Sequence, residues 1–85
     1  MILTADRATQ DAREALAAAG ITPQKIVSTA MGDCPWLGGE AIETEARVTY
    51  ADMDAARTAL LALPGATACE YQHGCTAVYR LESAA

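Results

Sequence analysis

Phenylalanine is missing from this chain, and aromatic residues make up only 5% of it: Trp36, Tyr50, Tyr71 and Tyr79. A core of stacked rings is therefore excluded. Alanine dominates the apolar 52% and buries little area per residue, so Leu, Ile, Val and Tyr are expected to carry the core. Single core truncations should then be costly. Cations are as scarce as rings. Six Lys and Arg stand scattered against eleven Asp and Glu, for a net charge of −5. They form no stripe that could displace the counterions of a nucleic acid, and they disfavour an anionic membrane surface for the same reason. No apolar run approaches the roughly 20 residues a membrane span needs. The N-terminus has no basic stretch followed by an apolar run, so no signal peptide is expected. The three cysteines are an odd number, which suits a reducing compartment. The expectation is a soluble, cytoplasmic protein.

What is present fits one domain over residues 1–85. From Thr4 to Ala19, Ala8, Ala12, Ala15, Leu16 and Ala19 recur at helical spacing, with charged residues on the other face. Thr4 or Asp6 can cap the start, and Gly20 occupies the position of a C-terminal glycine. Met1–Leu3 reads as a short apolar entry or a stub of strand. Lys25–Met31 is rich in β-branched residues and reads as a strand, a helical turn begun at Pro23 being the competing reading. The glycines and proline of Gly32–Gly39 predict a loop. Ile42, Thr44, Ala46, Val48 and Tyr50 then alternate with Glu43, Glu45, Arg47 and Thr49, one apolar face backed by a charged one.

A second helix is expected over Asp52–Leu63, with Met53, Ala56, Leu60 and Leu63 on one face and Pro64-Gly65 as the stop. Strands over Ala66–Gln72 and Cys75–Glu82 follow, joined by a tight turn at His73-Gly74. Ser83–Ala85 are expected to fray. The order αββαββ predicts an α+β fold: a four-stranded antiparallel sheet with both helices on one face. Val48–Val78 resembles half of a ferredoxin-like domain, and the whole is partly ferredoxin-like, a likeness that implies no function.

No catalytic constellation is apparent, and no cofactor is expected. Cys34, Cys69, His73 and Cys75 are the residue types of a structural zinc site, but they contain no C-x₂-C pair. A two-residue turn would pair Cys69 with Val78 and Cys75 with Gln72, placing those cysteines on opposite faces and disfavouring a disulfide. They read as small strand residues, with a metal- or thiol-dependent protein as the alternative. Gly38-Gly39 lacks the Lys and Ser/Thr of a phosphate loop. Asp52 and Asp54 are explained by capping and the helix dipole.

Two features suit recognition. Glu43 and Glu45, extended by Glu40 and Asp33, could form an acidic strip, or simply a solvated sheet face. Trp36 lies among Met31, Cys34, Pro35 and Leu37, either as a lid on the core or as an exposed anchor for a partner. Together they point to a non-enzymatic module that meets a protein with a basic surface. A homodimer through an edge strand or the open sheet face is a further reading. In size, charge and alanine-rich composition the chain resembles small accessory proteins of phages and mobile elements, anti-CRISPR inhibitors among them. The resemblance is one of general appearance. It implies an inhibitor that covers a nucleic-acid-binding surface, and it assigns no residue.

Overall fold

A computed structural model describes residues 2–82. The first helix, α1 (Ala5–Ala18), begins where the Thr4 hydroxyl accepts the Arg7 amide at 3.2 Å. It ends where Gly20, at φ +77°, reverses the backbone. The Ile21 amide then returns to the Leu16 carbonyl and the Gly20 amide to that of Ala17, satisfying two of the last free carbonyls. This closure places Ile21 beside Leu16 in the core.

Four strands follow the expected order: β1 (Lys25–Cys34), β2 (Gly39–Arg47), β3 (Ala66–Gln72) and β4 (Cys75–Leu81), with α2 (Met53–Leu61) between β2 and β3. They form one antiparallel sheet in the order β1-β2-β4-β3, with both helices on one face. That is the arrangement a ferredoxin-like βαββαβ sheet would have if its first strand were moved to the end of the chain. The expected strand stub does not form over the described part of Met1–Leu3. Met1 lies outside the described residues, and Leu3 contributes one hydrogen bond, from its amide to the Glu82 carbonyl at 2.7 Å. Ser83–Ala85 likewise lie outside the described residues.

Three local expectations are corrected. Half of the loop expected over Gly32–Gly39 is strand. Met31 is an extra residue between the Ala30–Ile42 and Gly32–Ala41 pairs, and Gly32 takes φ +73° beside that bulge. The strand resumes to Cys34, and Pro35–Leu37 close the hairpin as a single 3₁₀ turn. Tyr50, expected on the apolar face of β2, lies instead in a second 3₁₀ turn and is 92% exposed. Finally, Asp52 does not cap α2. Its carboxylate accepts the Thr49 hydroxyl at 3.0 Å, while its amide donates to the Thr49 carbonyl.

The core departs from expectation in kind. Ala8, Ala12, Ala46 and Ala56 are fully buried, and no tyrosine joins them. Small side chains on both surfaces let helix and sheet approach closely, so aromatic bulk is not required. Leu16, Ile42, Leu60 and Val78 supply the large apolar volumes. The main cluster joins α1, α2 and the sheet, and a smaller one holds Leu3, Ala8 and Ile42.

Polar groups among these residues are all paired. Thr9, Ser28 and the buried Thr44 form a hydroxyl chain with steps of 2.6 and 2.7 Å. Arg80, only 3% exposed, donates to the Pro64 carbonyl at 2.9 Å and to Asp11 at 3.2 Å. This ion pair ties α1, β4 and the loop after α2 together. No helix among the described residues is long and apolar enough to cross a membrane.

Candidate protein-binding surface

With both helices on one side, the other side of the sheet has no covering layer among the described residues. Strand alternation decides what it carries. Along β2 the buried Ile42, Thr44 and Ala46 face the helices, so Glu43, Glu45 and Arg47 face outward. Register across the sheet supplies their neighbours. One row reads Lys25, Arg47, Cys75, Gln72; the next Val27, Glu45, Ala77, Glu70; the third Thr29, Glu43, Tyr79, Ala68.

Carboxylates thus occupy the middle of the open face, and two cations stand together at one end. Glu45, Glu70 and Tyr79 border a shallow hollow of about 180 Å³ over Ala77. Glu43 and Tyr79 are cross-strand neighbours, and the carboxylate beside the phenol pushes the Tyr79 pKa up to about 12. The phenol is held as a neutral donor because its phenolate would face Glu43, Glu70 and Glu45. Lys25 and Arg47, directly opposite one another, line a second hollow of about 240 Å³ with Glu45 and Cys75. Like charges so placed repel, and the adjacent Glu45 offsets this.

The residues expected to form the acidic strip separate into two groups. Glu43 and Glu45 share the open face, joined by Glu70. Asp33 and Glu40 are paired across the hairpin near its tip, and alternation puts Glu40 on the side of Ile42. There Glu40 meets Glu82, whose amide donates to the Glu40 carbonyl at 2.8 Å. The Glu40 carboxyl group beside it raises the Glu82 pKa, because proximity of the two favours the protonated form. Trp36 crowns the hairpin at 74% exposure, covering no core. Exposed Met31 lies on the same hairpin, whereas Cys34 between them is buried.

The four residues of the metal reading are not brought together. Cys69 faces the helices and Cys75 the open side, in the register expected from the His73-Gly74 turn. Cys34 is paired at the opposite end of β2 from Cys75. Among the described residues, no group of three or more His, Cys, Asp or Glu is arranged to hold a metal ion. The Cys69 sulfur lies 3.1 Å from the Thr76 hydroxyl, and burial raises its pKa, which keeps it an unreactive thiol.

Sequence reasoning missed Lys25, Glu70 and Tyr79 as parts of this face. The β3–β4 turn fixed Glu70 opposite Ala77, but only the β2–β4 pairing brings Glu70 and Tyr79 to Glu43 and Glu45, and no local signal encodes it; Lys25 arrives through the β1–β2 pairing, past a bulge. No family model, curated protein or solved structure matches the chain.

Proposed function

We propose that this chain is a non-enzymatic binding module whose open sheet face and Trp36 hairpin tip dock on a basic protein surface. The observation that carries the reading is an uncovered sheet face with Glu43, Glu45 and Glu70 at its centre, continuous through β1 and β2 with an exposed tryptophan. Carboxylates two apart on a strand stand about 7 Å apart, a spacing suited to engaging several Lys or Arg side chains at once. Trp36 supplies the apolar anchor that charge alone lacks. A surface built to hold nucleic acid is the basic surface such a face would cover. The chain's general resemblance to small accessory proteins of phages and mobile elements suggests the specific form of the reading, an inhibitor of the anti-CRISPR kind. The same carboxylates disfavour a dimer made by stacking two open faces.

The test is capture from a bacterial lysate at low salt, run in parallel with a Glu43→Lys/Glu45→Lys variant and a Trp36→Ala variant. The expected result is a stoichiometric partner released by high salt, displaced by added nucleic acid and absent from the charge-reversed variant. Trp36→Ala should weaken binding by roughly 30-fold or more, as truncating a hot-spot aromatic does. A partner held equally well by the charge-reversed chain, or indifferent to salt, overturns the reading.

A further inference from the structure

The chain has four aromatic residues and a core short of bulk, yet Trp36, Tyr50 and Tyr71 are all exposed. Trp36 stands at the β1–β2 hairpin. The two tyrosines meet at the other end of the sheet, where the start of α2 faces the β3–β4 turn. They line a single cleft of about 390 Å³, with Met53, Asp54 and His73 among the other walls.

The chemistry of this cleft has one sign. Of the residues lining it, Asp54 is the one carboxylate, and no Lys or Arg stands among them. One Asp54 oxygen accepts the Tyr71 hydroxyl at 2.6 Å, fixing ring and carboxylate relative to one another. No other side-chain hydrogen bond or ion pair engages that carboxylate among the described residues, so its second oxygen is available to a ligand. Tyr71 already attracts a cation. The Arg57 guanidinium stands 5.9 Å from the ring centroid, yet Arg57 does not line the cleft. Tyr50, at 92% exposure, offers a ring that no part of the chain covers. The positive end of α2 works against a cation here, and Asp52 and Asp54 at its start offset that field.

We infer that the Tyr50–Asp54–Tyr71 cleft binds an alkylammonium head group, with the rings supplying cation–π walls and Asp54 the counter-charge. Apolar rings beside one carboxylate suit a weakly hydrated, alkylated cation better than a metal ion, which needs several oxygen ligands. The cleft borders the open face, sharing Gln72 and His73 with the hollow there. It uses none of Glu43, Glu45, Glu70 or Trp36, and it stands or falls without the reading proposed above.

The experiment is a titration of the full chain followed by two-dimensional NMR. The probes are choline, an acetylated trimethyllysine amide, and 3,3-dimethylbutanol as the neutral isostere of choline. The expected result is saturable, millimolar binding of at least one cation, with shifts centred on Tyr50, Asp54 and Tyr71. The neutral isostere should bind about fivefold more weakly or not at all, the scale of one exposed cation–π contact. Tyr50→Ala and Asp54→Asn should each weaken the cation by about fivefold. Neither threatens folding, since Tyr50 is exposed and Asn keeps the shape of Asp. Binding of choline alone assigns a free small ligand; binding of the lysine derivative assigns a partner's side chain. Equal binding of the neutral isostere, shifts centred elsewhere, or no saturation by either cation overturns the inference.

Discussion

The two sides of one sheet have been built by opposite rules. On the helix side, fully buried alanines set the spacing, and every buried polar side chain has a partner: Thr44 with Ser28, Thr76 with Cys69, Arg80 with Asp11 and Pro64. On the open side the same strands turn out Glu43, Glu45, Glu70, Lys25 and Arg47, and no second layer neutralises them. Substitutions on the first side should therefore register as stability, and those on the second as binding.

The sharpest break of that comparison is the buried ion pair. Asp11→Ala leaves the Arg80 guanidinium almost wholly buried, with the Pro64 carbonyl as its remaining side-chain partner. The expected cost is about 3–5 kcal/mol, read from urea unfolding as a lower midpoint at unchanged slope. Replacing both partners with apolar residues, Asp11→Leu with Arg80→Met, should recover most of it. The charge reversal at Glu43 and Glu45 should change stability by less than about 0.5 kcal/mol, as surface substitutions usually do. Equal losses from the buried and the open side would mean that both are structural.

Alanine offers a finer cut at the same contrast. Ala46 is completely buried where α1 rests on β2, whereas Ala77, 9% exposed, lies on the open face of β4 under its strand neighbours alone. Ala46→Leu should force helix and sheet apart and cost about 1–3 kcal/mol. Ala77→Leu can lean into the shallow hollow above it and should cost clearly less than Ala46→Leu. Thermal unfolding of the two variants side by side distinguishes the faces with one chemical change.

How far these faces can be read from sequence depends on the range of the contact that fixes them. The β3–β4 register is local: His73 and Gly74, at φ +50° and +76°, make the tight turn their residue types favour, and every pairing in that hairpin follows. The helical stripes ending at Leu16 and Leu60 are equally local. Arg80 is the contrary case. Nothing near it in sequence marks a buried cation, because its carboxylate partner lies 69 residues away. Trp36 fails for another reason: a tryptophan among apolar neighbours has the same local sequence whether it covers the core or points outward. Glu43 and Glu45 were visible as a charged face, but their company of Glu70 and Tyr79 needed the β2–β4 pairing. Aromatic scarcity was visible throughout. That exposed tyrosines gather at one cleft was not, because Tyr50 continued the alternation of β2 on paper and left it in space.

The smallest effect tests the electrostatics of the open face directly. Tyr79 has its pKa raised from 10 to about 12 by the Glu43 carboxylate beside it, by partial burial and by the surrounding carboxylates. A raised pKa in the folded state means that the native protein holds this proton where the unfolded chain has released it. The stabilisation is thus complete below pH 10 and is lost as pH rises from 10 through about 12. Phenolate absorbance of the native protein should show one tyrosine ionising near pH 12, and Glu43→Gln should move that step back toward 10 by removing the negative charge beside it. Tyr79→Phe should lose that stabilisation below pH 10, a small drop in the unfolding midpoint near neutral pH, and converge with the parent as pH rises toward 12. A native Tyr79 that ionises near 10 would mean that Glu43 does not hold it. Glu43 would then be as free as Glu45 to meet a partner's cations, and the charge-reversal variants should be reinterpreted one residue at a time.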